Sequence, residues 1–234
     1  MHQNLRDQAL ALSIDLSHDE TLAFEELARL LLIWNQKMNL TAITDPEEIV
    51  TKHFVDSLSL LRFIPRGAPL KLIDVGTGAG FPGLPLAIVS PNLSVTLLDS
   101  VGKRFLFIEE AVRALGLTRV TRLQSRAEDA GKDPAHREQY DAAVSRAVAP
   151  MRILSEYCLP LLRAGGFFYA MKGLHAEEEL AEAGGLIERL GGCVQSIEEL
   201  TLAGGYQRAV VIIRKIKETP KEYPRRPPRL KFNS

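Results

Sequence analysis

Hydrophobic positions recur at helical spacing early in the chain and give way to short apolar runs near residue 70. Residues 5–16 form a short, loosely amphipathic piece. Leu22, Phe24, Leu27, Leu30, Leu31 and Trp34 then mark one buried helical stripe. Ser17, with Glu20 three residues on, predicts its start, because hydroxyl and carboxylate each satisfy an orphan N–H of the first turn. The helix runs to about Lys37 and breaks at Asn39-Leu40-Thr41. At Asp45-Pro46-Glu47-Glu48 a helix restarts: Asp45 caps, Pro46 takes the first helical position, and Glu48 completes a second capping box. Residues 1–66 carry no strand pattern and read as a helical N-terminal cap.

Beyond Pro65-Arg66-Gly67 the pattern alternates strand and helix, which predicts a mostly parallel sheet covered on both faces. Strands are expected over 71–75, 94–98, 120–124, 141–145 and 167–172, the last after a turn at Gly165-Gly166. Helices are expected over 83–89, 103–115, 150–162 and 177–190, with a polar segment after the third strand. Residues 193–202 and 207–216 read as an antiparallel hairpin turning at Gly204-Gly205. The expected fold is therefore α/β, a doubly wound, mostly parallel seven-stranded sheet of Rossmann-like type. Residues 67–216 form its core and 217–234 a basic C-terminal tail.

The first core strand runs into a glycine loop, Asp74-Val75-Gly76-Thr77-Gly78-Ala79-Gly80-Phe81-Pro82-Gly83. Glycines here let a ligand press against backbone, and the helix after them favours negative charge at its start. The bland alternative, a glycine turn in an ordinary α/β protein, does not need four glycines directly after a buried strand. Two cofactor patterns fit. Gly78-Ala79-Gly80-Phe81-Pro82-Gly83 matches the dinucleotide signature. Asp74 followed by Gly76, Gly78 and Gly80 resembles the loop of S-adenosylmethionine-dependent methyltransferases, and an acid pointing into the loop would repel a pyrophosphate. The second is favoured; an NAD-type oxidoreductase stays as the alternative. Asp99, ending the second strand, stands where an acid would grip ribose hydroxyls, with Ser100 and Val101 along the adenosine. After the third strand, Ala127 and Glu128 border the adenine position, or else form a solvated turn.

Composition narrows the classes. A hydrophobic fraction of 46% in 234 residues supplies a core. No apolar run reaches the ~20 residues of a membrane span, and no signal-peptide pattern is present. Cys158 and Cys193 are far apart and the histidines lack ligand spacing, so neither a disulfide framework nor a metal site is expected, and a reducing cytoplasm fits. Net charge is zero, yet from Arg214 onward eight basic residues face only Glu218 and Glu222. A basic tail on an acidic body suits a polyanion such as RNA; a solvated tail that aids solubility is the plain alternative.

The fourth strand ends in Ser145-Arg146-Ala147, beside the expected reaction centre. The Asn or Asp followed by two prolines that binds an amine acceptor is absent. Cys158 falls inside an apolar helix, unlike the exposed nucleophile that pyrimidine-C5 methylation needs. Arg146 remains, a permanent cation that suits an electron-rich acceptor such as guanine N7, or else a salt-bridge partner for Asp74 or Asp99. Lys172 at the end of the fifth strand meets phosphate or base, or snorkels; His53 and Asp56-Ser57 face the cleft or pair locally.

Asn39-Leu40-Thr41, Lys52-His53-Phe54-Val55-Asp56-Ser57, the loop from Asp74, Arg126-Ala127-Glu128, Ser145-Arg146-Ala147 and Ala170-Met171-Lys172-Gly173 together resemble one family. It is the ribosomal RNA small subunit methyltransferase G family, also called glucose-inhibited division protein B. Residues 213–225 resemble the C-terminus of its Gram-positive-type members. The resemblance implies class I S-adenosylmethionine-dependent methylation of guanine N7 in 16S ribosomal RNA, in the decoding-region loop of helix 18. It places cofactor positions at Gly76, Phe81, Asp99–Val101, Ala127-Glu128 and Arg146. It suggests RNA contacts at Asn39, His53, Asp56, Ser57, Arg126, Lys172, Arg225 and Arg226. The partner is RNA or a small-subunit assembly particle; a cytoplasmic monomer with no membrane contact is expected. Phe81 stands where some members have leucine, and residues 227–231 depart from the usual glycine-containing ending.

Overall fold

A computed structural model describes residues 1–65 and 67–225. The N-terminal part contains α1 (His2–Ala11) and α2 (His18–Met38). Ser17 caps α2 in a full capping box: its hydroxyl accepts from Glu20 N and its own N–H reaches the Glu20 carboxylate. The first piece starts earlier and stops sooner than its apolar pattern predicts, since Ser13 takes a positive φ of 61° just past its end. α3 (Pro46–Ile49) starts at Asp45, whose carboxylate accepts from Glu47 N and Glu48 N. Glu48 does not close a second box; its carboxylate pairs with Lys52 one turn later. The helix then continues with changing pitch, as a π-helical turn Val50–Val55, α4 (Asp56–Leu58) and a 3-10 turn Ser59–Arg62.

Seven strands come next: β1 (Leu70–Val75), β2 (Leu93–Asp99), β3 (Val120–Gln124), β4 (Tyr140–Arg146), β5 (Leu162–Lys172), β6 (Gly192–Leu202) and β7 (Tyr206–Lys215). Their order across the sheet is β3-β2-β1-β4-β5-β7-β6. β7 is antiparallel to both neighbours, while the pairings among the first five strands are parallel. β1 and β4 are adjacent at the point where the order reverses, so their carboxyl ends open a crevice. Helices α5 (Gly83–Val89), α6 (Arg104–Ala114), α7 (Ala127–Ala130), α8 (Met151–Cys158) and α9 (Ala176–Arg189) make the connections. α7 forms in the polar segment after β3; four residues are too few to give a periodic signal. The Gly165-Gly166 pair lies inside β5, beside a register shift against Tyr140 and Ala142, and not in a turn before it.

Strand alternation splits the core in two. Leu72, Ala142, Val144, Tyr169, Met171, Val210 and Ile212 face one side; Ile73, Val75, Ala143, Phe168, Ala170, Val211 and Ile213 face the other. The first side is shared with the N-terminal helices. Phe24 packs on Phe54 at 4.9 Å, Phe54 on Phe81 of the glycine loop at 6.2 Å, and Trp34 Nε1 donates to Glu110 on α6 at 3.0 Å. Helical cap and sheet therefore share one hydrophobic layer. Past β7 the described chain packs back on the second side, with Thr219 and Tyr223 buried. Lys215 is buried too, its amine on Leu159 O at 2.6 Å and on the Thr219 hydroxyl, and burial pulls it down to about 8.

Candidate active site

A cavity of about 550 Å³ opens at the carboxyl ends of β1, β2 and β4. The glycine loop forms its floor because the backbone there takes positive φ, 73° at Gly76 and 60° at Gly78. A Cβ on Gly76 would lie 2.5 Å from Val148 Cγ2, so only glycine lets the two loops close. Asp74, one residue before the end of β1, is fully buried beneath the loop. Its Oδ2 accepts from Thr77 Oγ1 at 2.6 Å and from Gly83 N at 2.9 Å, tying loop to helix start. Oδ1 has no partner among the described residues, and burial lifts the carboxyl to about 6. Asp74 thus acts through the loop's backbone and does not line the cavity.

Asp99 closes the next wall. Its carboxylate accepts from Gly78 N at 2.9 Å, Val101 N at 2.8 Å and Arg104 Nη1 at 2.9 Å. Ser100 lies on the wall, whereas Val101 turns its amide to Asp99 and is not on it. Beyond β3, Arg126, Ala127 and Glu128 line the cavity, Glu128 accepting from the Tyr157 hydroxyl at 3.3 Å.

Opposite stands Arg146. Its Nη1 donates to Lys52 O at 2.9 Å and Asp56 Oδ2 at 3.0 Å, and its Nη2 to His53 Nδ1 at 3.3 Å. Its salt-bridge partner is Asp56; neither Asp74 nor Asp99 takes that place. The other Asp56 oxygen accepts from Arg208 Nε at 2.9 Å, so one buried carboxylate holds two guanidiniums. His53 stacks on Phe81 at 4.7 Å, and its Nε2 meets Thr41 Oγ1 at 2.9 Å. Burial, reinforced by the Arg146 charge, holds the imidazole down at about 4. At neutral pH it is uncharged, with Nδ1 accepting from Arg146 and the proton assigned to Nε2. Ala147 carries a positive φ of 55° at the cavity edge, a strained backbone that the surrounding contacts must hold.

The structure separates the remaining candidates. Asn39 is the exposed left-handed C-cap of α2, and Leu40 and Thr41 after it, not Asn39, reach the cavity. Ser57 is buried, its hydroxyl donating to His53 O. Lys172 does not meet the cavity: its amine is spent on Ala149 O at 2.7 Å and Glu179 Oε2 at 2.6 Å. Arg225 is paired with Glu156 on α8 and lies off the cavity wall. Arg226 lies outside the described residues. Thr41, Arg104, Tyr157 and Arg208 belong to the site or its support and were not among the predicted site residues. Thr41 had a signal in its place beside Asn39; Arg104, Tyr157 and Arg208 sit in ordinary helix or strand pattern and had none.

The loop's hydrogen bonding decides between the two cofactor patterns. Gly76 N and Thr77 N donate to Leu98 O, Gly78 N to Asp99, Gly80 N and Phe81 N to Thr77 O, and Gly83 N to Asp74. A pyrophosphate needs several free N–H groups at this turn, and these six are spent. The chemistry of the same wall suits an adenosylated amino acid: the Asp99 and Glu128 carboxylates and the Ser100 hydroxyl offer acceptors for hydroxyl and amino protons beside the apolar Leu98, Ala127 and Phe81. Together with the reversed last strand, this makes the protein a class I S-adenosylmethionine-dependent methyltransferase.

Known proteins carry the assignment further. Residues 20–211 match the family model described as rRNA small subunit methyltransferase G, and the chain belongs to that family. A relative from Desulforamulus reducens, named "Ribosomal RNA small subunit methyltransferase G", is 45% identical over 223 residues, covering 95% of this chain and 93% of that protein. A protein of the same name from Lactobacillus johnsonii is 51% identical over 199 residues, covering 83% of each. Among solved structures, a 16S rRNA (adenine(1408)-N(1))-methyltransferase mutant from Catenulisporales acidiphilia, with SAM, superposes with a TM-score of 0.54 at 16% identity. That match covers 65% of this chain and 88% of the other, and shows the fold alone.

Proposed function

We propose that this protein methylates N7 of a guanine in 16S ribosomal RNA, in the decoding-region loop of helix 18. The observation that carries the reading is the company Arg146 keeps. Its neighbours are a neutral His53 of low basicity on the cavity wall and, buried behind that wall, an Asp56 already shared between two arginines. Around Arg146 no strong proton acceptor is free, which suits an acceptor atom with a free lone pair, and guanine N7 has one. A cysteine nucleophile is equally missing: Cys158 is buried and burial pushes its thiol well up.

Gly76, Gly78, Phe81, Asp99, Ser100, Ala127 and Glu128 would hold S-adenosylmethionine, with Val101 keeping Asp99 in place. Bound there, the cofactor supplies an already activated methyl group. The protein's contribution is then to position the acceptor and exclude water. Arg146 keeps Nε and one Nη2 hydrogen without a protein acceptor among the described residues, and these orient base or cofactor. Thr41, His53 and Phe81 form the face against which the base would lie. Arg126, exposed at the rim, and Asn39 would meet RNA phosphates, which fix register without reading sequence. Of the eight basic residues from Arg214 onward, Lys215 and Arg225 are paired internally, which leaves Arg214, Lys217, Lys221, Arg226, Arg229 and Lys231 for RNA. The reading includes a monomer acting in the cytoplasm on RNA or on an assembling small subunit. Among the described residues no helix is long and apolar enough to cross a membrane.

Mapping 16S RNA from a deletion strain by primer extension and mass spectrometry tests the acceptor. One N7-methylguanine in helix 18 should disappear and return with the wild-type gene, but not with Arg146→Ala. Persistence of that mark in the deletion strain refutes the assignment and leaves another RNA or a small molecule as acceptor.

A further inference from the structure

The cavity wall formed by Ala127, Glu128 and Tyr157 has little to hold it from within. α7 is four residues long, far below the length at which a helix keeps its own shape, and Tyr157 lies near the end of α8. Support comes from behind. Arg137 donates through Nη1 to Gly131 O at 2.8 Å, at the end of α7, and to Tyr223 O at 2.8 Å. Through Nη2 it donates to Thr219 O at 2.6 Å and Pro220 O at 3.3 Å. One guanidinium thus joins the back of α7 to three carbonyls of the chain beyond β7. The same chain touches the wall twice more. Pro224 packs so tightly on Gly131 that a Cβ there would lie 2.9 Å from its Cγ. Arg225 donates from N and Nε to Glu156, the residue before Tyr157, at 3.0 and 3.1 Å. Thr219 anchors the far end, its N–H on Glu138 and its hydroxyl on Leu190 O.

We infer that residues 217–225 are a strap that sets the position of the α7–Tyr157 wall of the cofactor cavity, with Arg137 as the positioning residue that pins it. The inference rests on the reading of this cavity as the S-adenosylmethionine site. It gives the first part of the basic C-terminus a task in cofactor binding, separate from any attraction of RNA by its exposed basic side chains. A planar guanidinium reaches all four carbonyls at once; an ammonium does not.

Calorimetry of S-adenosylhomocysteine with the full-length protein tests this. Arg137→Ala should weaken binding about tenfold, Arg137→Lys should recover part of the loss, and truncation after Arg225, which keeps the strap, should leave the Kd unchanged. In turnover, KM for S-adenosylmethionine should rise in Arg137→Ala, while kcat at saturating cofactor and KM for RNA stay at wild-type values. A folded Arg137→Ala protein with wild-type Kd overturns the inference, as does a lowered melting temperature with unchanged Kd. If Arg137→Ala does not fold, Arg225→Ala, with its exposed side chain, should still weaken binding about threefold, and a wild-type Kd there overturns the inference. Wild-type protein that binds no S-adenosylhomocysteine refutes the cofactor reading beneath it, a result distinct from any difference between variants.

Discussion

Replacing Asp56 by asparagine removes one negative charge from between two guanidiniums. The carboxylate is 1% exposed and accepts from Arg146 Nη1 at 3.0 Å and Arg208 Nε at 2.9 Å. Asparagine fills the same space but offers one acceptor, and turns an NH₂ donor toward the other guanidinium. One charge-assisted hydrogen bond, worth about 1.5–3 kcal/mol net, is lost, and a buried donor is left facing a cation. Together these give a loss of about 3–4 kcal/mol, in the range for breaking a buried ion pair. Against a typical domain stability of about 5–15 kcal/mol this is a large fraction. At a urea slope of about 2–3 kcal/mol/M the unfolding midpoint should fall by about 1–2 M.

Trp34, the single tryptophan, sits in α2 and packs on the shared hydrophobic layer, so its fluorescence reports the transition. Turnover is the second readout. Arg146 loses one of its three anchors, and misplacing a positioning group by about 1 Å costs on the order of a hundredfold in rate. Arg208→Gln leaves the Arg146–Asp56 contact in place, and a double-mutant cycle with Asp56→Asn should show coupling of about 0.5–3 kcal/mol. An Asp56→Asn protein with wild-type midpoint and wild-type kcat would refute the view that this carboxylate holds the site together.

Gly76→Ala should fold but lose S-adenosylhomocysteine binding in calorimetry, because a φ of 73° and a 2.5 Å clash with Val148 both oppose the methyl group, at about 1–3 kcal/mol for the backbone alone. Two buried groups should give opposite pH slopes in urea titrations. Asp74, raised to about 6 by burial, binds its proton more tightly folded than unfolded, so its contribution declines as pH rises from about 4 to 6. His53, lowered to about 4 by burial, resists its proton when folded, so its contribution declines as pH falls from about 6.5 to 4. Asp74→Asn should therefore make stability rise more steeply with pH across that window, and His53→Gln less steeply; the same slope in both variants contradicts the assignment. Iodoacetamide should label Cys193 and spare Cys158 in native protein, read by peptide mass, and Cys158→Ala should keep its methylation rate; rapid labelling of Cys158 would contradict its burial.

Much of the fold was legible because period and punctuation agree. Gly83–Val89 and Val120–Gln124 form at the predicted residues, and the hairpin of β6 and β7 arises from two apolar runs around Gly204-Gly205. The losses have local causes. Glu48 had a nearer cation in Lys52 than the capping N–H, and Gly165-Gly166 reads as a turn although a strand absorbs it at a register shift. Charge was the poorest guide: Lys215 and Arg225 count toward a basic tail in the sequence, yet both are paired inside the protein. A count of basic residues is blind to carbonyls and carboxylates brought close by tertiary packing.

The site divides along the same line. The glycine loop and Asp99 were readable because glycines at fixed offsets and an acid at a strand end are local signals. The surroundings of Arg146 were not, because its partners lie 90 and more residues away in sequence, at Lys52, His53 and Asp56, and Asp56's second partner is Arg208 on β7. Helical periodicity announces that residues 46–62 are wound but not how tightly. The π-helical turn Val50–Val55 changes that winding just where Lys52 O and His53 must face β4. The side chains that would read the acceptor thus depend on a local pitch that apolar spacing does not encode. This is why the cofactor could be argued from the residues, while the acceptor needed the site's geometry and the family.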